Sequence, residues 1–215
     1  MVLPVKLGSG ALSVLCLGAH SDDIEIGCGG TLLRLLAEYP GTQVTWVVFA
    51  SNPDREQEAR ASAASFCADA GSSQVIVHAF RESFFPAQWS DIKDAVHAAS
   101  KLCTPDLVLS HRLEDMHQDH RVLAELTWNS FRNHLVWQYE IAKYEGDLGR
   151  PNLFVPLTRA QAERKVELLH QHFPTQRSRT WFSADTFHGL MSLRAIECNA
   201  PEGRAEAFHV RKIVV

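Results

Sequence analysis

The sequence predicts an α/β protein with a mostly parallel sheet flanked by helices. Three observations carry that expectation. Short apolar runs rich in Val, Leu and Ile alternate with helix-length stretches, as in successive βαβ units. Gly, Pro and small polar residues punctuate the boundaries between them. Polar and ionisable residues gather directly after the apolar runs, where the open edge of a parallel sheet collects its functional groups.

In order, Ser13–Leu17 reads as the first strand, and the apolar-periodic segment from Gly29 to Glu38 as a helix. Pro40-Gly41 is a turn, and Gln43–Ala50 a second strand. Asp54–Ala70 is a long amphipathic helix closed by Gly71, followed by a strand over Gln74–Phe80. Asp91–Cys103 is a helix that Thr104-Pro105 ends, and Leu107–Ser110 a short buried strand. His120–Arg132 is helical, Val136–Ile141 a further strand, and Thr158–His170 a helix with Thr158 as its N-cap. From about Phe187 the chain reads as strand-like and less regular. With no repeat, low-complexity tract or linker, residues 1–215 are expected to form one domain, an ordinary size for a chain of 215 residues.

Bulk properties exclude several classes. A net charge of -4 supplies no field for nucleic acid or an anionic membrane. No apolar run reaches transmembrane length. Ala11–Ala19 has the size of a signal-peptide core. Only Lys6 precedes it as a basic residue, however, and the strand reading accounts for it better. Five cysteines without a Cys-x-x-Cys pair point to reduced thiols and a cytoplasmic location.

Two clusters carry chemistry: His20-Ser21-Asp22-Asp23 after the first strand, and His117-Gln118-Asp119-His120 after the fourth. Both lie at strand carboxyl ends, so the topology makes them neighbours. A catalytic zinc takes three protein ligands and keeps a fourth position for water. His20, Asp23 and His120 form the natural set, with Asp22 as base, His117 as oxyanion donor or acid, and Asp119 as an acceptor behind an imidazole. Zn2+ is the expected ion, and Fe2+ suits the same ligands.

Blander readings exist for each part. Asp22-Asp23 alone is a turn or helix N-cap, and His-x-x-His alone is ordinary surface chemistry. Their joint occurrence favours a metal. Gly27-Cys28-Gly29-Gly30 lacks dinucleotide-binding spacing, and close packing around the turn explains it better. Arg55, Arg81 and Trp89 follow strands two and three and are candidate substrate contacts, the arginines for an anionic group and the tryptophan for stacking on a ring.

Ala19-His20-Ser21-Asp22-Asp23 with Gly29-Gly30-Thr31 resembles the Ala-His-Pro-Asp-Asp motif of the LmbE-like (PIG-L) N-acetyl-sugar deacetylases, and His117-Gln118-Asp119-His120 their His-x-Asp-His motif. The Arg55–Arg60 helix, Gln176 and Ala205-Glu206-Ala207-Phe208 fit the same pattern. The resemblance implies a Rossmann-like sheet, zinc on His20, Asp23 and His120, Asp22 as base, and removal of acetyl from an N-acetylated amino sugar or its conjugate. Ser21 replaces the usual proline, and Asp115 stands where some members carry a tyrosine. The expected partner is thus a small N-acetylated sugar or conjugate, with homo-oligomerisation left open. Competing readings are an amidase or deacylase of a thiol conjugate or secondary metabolite, and a non-catalytic sugar- or nucleotide-binding domain without a tightly bound metal.

Overall fold

A computed structural model describes residues 6–214. The elements run β1 (Ser13–Gly18), α1 (Asp23–Glu38), β2 (Gln43–Ala50), α2 (Pro53–Phe66) and β3 (Ser72–Phe80). After a 3-10 turn over Phe85–Gln88 come α3 (Trp89–Ala99), β4 (Leu107–His111), α4 (Gln118–Ser130) and β5 (Leu135–Tyr139). The chain closes with β6 (Leu153–Pro156), α5 (Arg159–His172), α6 (Ala184–Cys198) and β7 (Ala205–His209).

These strands form one seven-stranded sheet in the order β3-β2-β1-β4-β5-β7-β6. The first five are mutually parallel, and β7 runs antiparallel to both β5 and β6. The expected α/β architecture is therefore present, with an antiparallel edge added. After β3 the chain returns to the opposite side of β1, so the topological switch point lies between β1 and β4. Ligand crevices form beyond the strand ends at such a point.

Both faces of the sheet are covered, which is why its strands read as continuous apolar runs. Val14, Cys16, Trp46 and Leu109 face α1, α2, α5 and α6, while Leu15, Leu17, Phe49 and Val108 face α3 and α4. Trp46 and Phe49 are fully buried, so the sheet that carries the site is anchored by large side chains on both faces.

Two boundaries differ from expectation for physical reasons. α1 begins at Asp23, six residues before Gly29, although glycine disfavours helix. A Cβ on Gly27 would lie 2.2 Å from the Tyr139 ring, and one on Gly29 2.6 Å from Phe66. Close approach to β5 and α2 thus requires glycine, and the helix accommodates the run with a kink at Cys28. The tail expected to be strand-like from Phe187 is instead helix α6, capped by Ser183, whose Oγ accepts the Thr186 N–H at 3.1 Å. Phe187, Met191 and Ala195 recur every four residues and face the core, a helical period. Only Ala205–His209 of that region is a strand, and β6 is a short edge strand beyond the expected set. Among the described residues no helix is long and apolar enough to cross a membrane.

Glu25, in the first turn of α1, is fully buried, and neither carboxyl oxygen has a hydrogen-bond partner. Burial pushes its pKa well above the usual carboxylate range. Below the unfolded value of about 4.3 both states are neutral. Above it the unfolded chain ionises while the native chain does not, so stability falls as pH rises, by up to about 1.4 kcal/mol per pH unit. Glu25→Gln removes this slope. Its melting temperature relative to the parent is expected to be higher at pH 8 than at pH 5, and equal differences at both would refute a neutral Glu25.

Candidate metal and catalytic site

β1 ends at Gly18, and the turn through His20 and Ser21 delivers Asp22 to the N-cap position of α1. The Asp22 side chain makes no capping hydrogen bond, so a simple N-cap does not account for it. Asp23 folds back instead, its Oδ2 accepting the His20 backbone N–H at 2.6 Å. Ser21 is buried, with its Oγ 3.2 Å from Ser51 Oγ at the end of β2. The hydroxyl thus ties the turn to the end of the neighbouring strand.

Across the switch point, His117 caps α4, its Nδ1 accepting the Asp119 N–H at 3.2 Å. That bond places the proton of neutral His117 on Nε2. His120, one turn on, reaches His20: His120 Nε2 and His20 Nδ1 are 3.2 Å apart. Asp23 Oδ2 lies 3.3 Å from His20 Nδ1, and Asp23 Oδ1 3.5 Å from His120 Nε2. The outer nitrogen of each imidazole meets a carboxylate, His20 Nε2 with Asp119 Oδ2 at 3.1 Å and His120 Nδ1 with Asp115 Oδ2 at 3.0 Å. Asp119 also accepts the backbone N–H groups of Ser83 and Phe85, which fastens the loop after β3 to the site.

Two overlapping triads bring potential ligand atoms together: His20, His117 and His120, and Asp23, His111 and His120. The second is closed to solvent at His111, whose Nε2 already accepts the Ala19 N–H at 2.9 Å and lies 3.2 Å from Asp23 Oδ2. His20, Asp23 and His120 draw on both triads and face the cleft.

Electrostatics differ sharply among these groups. Burial disfavours a charge on His20, but Asp23 and Asp119 outweigh it and lift its pKa to about 10. Burial and the facing His111 push His120 down to about 3. Burial together with the nearby His20 lowers His117, which keeps it neutral. Burial raises Asp22, Arg55 pulls it partly back, and Asp23 adds to the rise. Arg55 contacts one oxygen of Asp22, Oδ1, at 3.0 Å, while buried Oδ2 has no partner.

The profile of the PIG-L family, described as GlcNAc-PI de-N-acetylase, matches residues 15–131, more than half of the chain and both clusters. This chain belongs to the PIG-L family. No curated protein matches it in sequence. Among solved structures, this PIG-L chain is similar to the conserved protein TT1542 from Thermus thermophilus, at 17% identity and a TM-score of 0.71, over 95% of this chain and 96% of that one. The N,N'-diacetylchitobiose deacetylase of Pyrococcus horikoshii gives 18%, 0.69, and 94% and 84% coverage. GalB, the 4-carboxy-2-hydroxymuconate hydratase of Pseudomonas putida, gives 16%, 0.70, and 95% and 98%. At these identities the likeness is one of fold.

The remaining sequence candidates are distributed differently in this PIG-L chain. A cleft of about 550 Å³ opens over His20, Asp22, His117 and His120. Arg55 lines it, but its guanidinium is committed to Asp22, to Glu58 at 3.1 Å and to Thr175 Oγ1 at 3.2 Å. It is a partner of the candidate base, not a free anion receptor. Arg81 lies outside the cleft, its guanidinium 3.5 Å over the Phe84 ring, and Trp89 also lies outside, on the exposed start of α3. Phe85, in the 3-10 turn just before it, is fully buried. Sequence reasoning missed His111, Lys143 and Arg179. His111 was findable, since a histidine ending a buried strand is the same signal that marked His20. The other two sit on irregular segments with no local signature.

Proposed function

We propose that this protein is a metal-dependent N-deacetylase that hydrolyses the acetamido group of an N-acetylated amino sugar or sugar conjugate. The observation that carries the reading is the convergence of His20 Nδ1 and His120 Nε2, 3.2 Å apart, with Asp23 setting Oδ2 3.3 Å from the first and Oδ1 3.5 Å from the second, in the cleft that also holds Asp22 with its unpartnered oxygen. Tetrahedral zinc with bonds of about 2.0–2.1 Å sets its donors about 3.3–3.4 Å apart, close to the 3.2 Å between the two imidazole nitrogens, and Asp23 stands within reach to complete the set. Carboxylates behind both imidazoles favour tautomers with the inner lone pairs free. A metal held there acidifies a water and polarises the amide carbonyl.

The chain's own groups divide the remaining work. Asp22 Oδ2 accepts the proton, while Arg55 holds Oδ1 and so sets the direction of the free oxygen. A carboxyl raised by burial is a stronger base than an exposed one and can return its proton to the departing amine. His117 offers Nε2–H to the developing oxyanion as a neutral donor.

The family description and the likeness to a chitobiose deacetylase support amide hydrolysis; the hydratase shares the fold, so fold by itself does not select the reaction. The test is acetate and amine release, in equal amounts, from a panel of free, nucleotide-linked and lipid-linked N-acetyl sugars by zinc-loaded protein. Protein that binds one zinc yet releases acetate from none of them would overturn the proposal. N-acylated thiol conjugates in the same panel separate the amidase alternative.

The cleft suggests part of the specificity. Of its three cations, Arg55 and Lys143 are ion-paired internally, whereas the Arg179 guanidinium has no ion pair among the described residues. Trp181, two residues on, lines the same wall. An arginine fork suits a phosphate or carboxylate on the sugar. Arg179→Gln is expected to raise KM about tenfold for an anionic substrate, with kcat and the KM of a neutral N-acetyl sugar unchanged. Equal effects on both substrates would exclude an anion contact.

A further inference from the structure

We propose that Asp115, steadied by Lys143, is a positioning residue that fixes the tautomer and orientation of His120, so that Nε2 faces the metal position. The inference rests on the metal site proposed above. Asp115 Oδ2 lies 3.0 Å from His120 Nδ1, and both side chains are only 3% exposed. Asp115 Oδ1 accepts the His117 backbone N–H at 2.8 Å. One carboxylate therefore grips both ends of His117-Gln118-Asp119-His120: the backbone of the first residue and the imidazole of the last.

A neutral imidazole carries a single N–H. With an acceptor at Nδ1 the proton resides there, and the lone pair points from Nε2 towards His20 Nδ1 and Asp23 Oδ1. Asp119 does the same for His20 at the other side of the site. An anion buried this deeply needs compensation. Lys143 Nζ supplies it, 3.1 Å from Asp115 Oδ2 and 2.6–2.7 Å from the two oxygens of Asp147. Asp147 in turn accepts the Met116 N–H at 2.7 Å, and its carbonyl accepts from the buried Arg112 guanidinium. The loop from Arg112 to His117 is thereby clamped to the segment after β5.

This assignment bears on the departure noted in the sequence. Asp115 occupies the position where some relatives carry tyrosine, yet it is buried behind His120 and forms no part of the cleft wall. Its action on the reaction runs through the imidazole and not through contact with substrate.

Competition with a chromogenic chelator for Zn2+ measures the role without reference to turnover. Asp115→Ala is expected to weaken zinc binding about 10–100-fold, and Asp115→Asn, whose amide oxygen still accepts from Nδ1–H, by less. If Asp115→Ala does not fold, 15N chemical shifts of the zinc-loaded parent answer the question directly: His120 should be protonated at Nδ1 and metal-bound at Nε2. Parental affinity in Asp115→Ala, or coordination through Nδ1, overturns this role while leaving the metal site standing. A parent protein that binds no zinc overturns both.

Discussion

Asp22→Asn is expected to lower kcat by about 10²–10⁴-fold while leaving one equivalent of zinc bound. The asparagine retains the shape and keeps an oxygen for Arg55, but it has no basic lone pair to take a proton. Because Asp22 is paired with Arg55 and is not one of the three proposed ligands, metal content should not change. The burial that raises its pKa also predicts an acidic limb of the kcat/KM profile above the usual carboxylate range, which disappears in the variant. A variant retaining parental turnover would remove Asp22 from the proton-transfer role. Loss of zinc with turnover would reassign it as a ligand.

Removing the metal is the second large effect. Chelation is expected to abolish turnover, with recovery at one equivalent of Zn2+, and His120→Ala is expected to show no such recovery. The histidine environments make a further prediction about protons. In the metal-free protein His20, lifted to about 10, carries a proton at neutral pH, whereas His120, pushed down to about 3, does not. Metal binding must therefore displace one proton, from His20, and affinity should strengthen about tenfold per pH unit as pH rises towards the His20 value. Calorimetry in buffers of different ionisation enthalpy near about pH 6 counts that proton. A count of zero would show that Asp23 and Asp119 do not hold His20 charged. Full activity after exhaustive chelation would end the metal reading altogether.

Much of this site is legible in the amino-acid sequence. His20 and Asp23 flank one tight turn after an apolar run, and His117 and His120 sit one helical turn apart after another. Both placements are consequences of local chain geometry. The alternation of strands and helices puts their loops on one sheet edge, which covalent order and the handedness of βαβ crossovers dictate. Arg55 marks the limit of local pattern. Its place after β2 is legible, but its pairing with Asp22 and Glu58 depends on how α2 packs beside α1. Helix α6 escapes the pattern because its apolar residues lie all round it: Phe187, Met191 and Ala195 face the core while Leu193 and Ile196 are exposed. Burial against the sheet, rather than propensity, decides its form.

What the sequence determined by itself was the sheet class, the edge that bears the chemistry and the residues of the two clusters, since short-range pattern and chain order encode all three. The tertiary structure alone decided which oxygen of Asp22 is free, which carboxylate stands behind which imidazole, and which cleft cation remains unpaired. Those outcomes depend on contacts between residues remote in sequence, His20 with Asp119 across the switch point and Asp115 with Lys143 across the ends of β4 and β5. Buried charges exact large penalties unless paired, so these distant partners set the chemistry of groups whose positions were already legible.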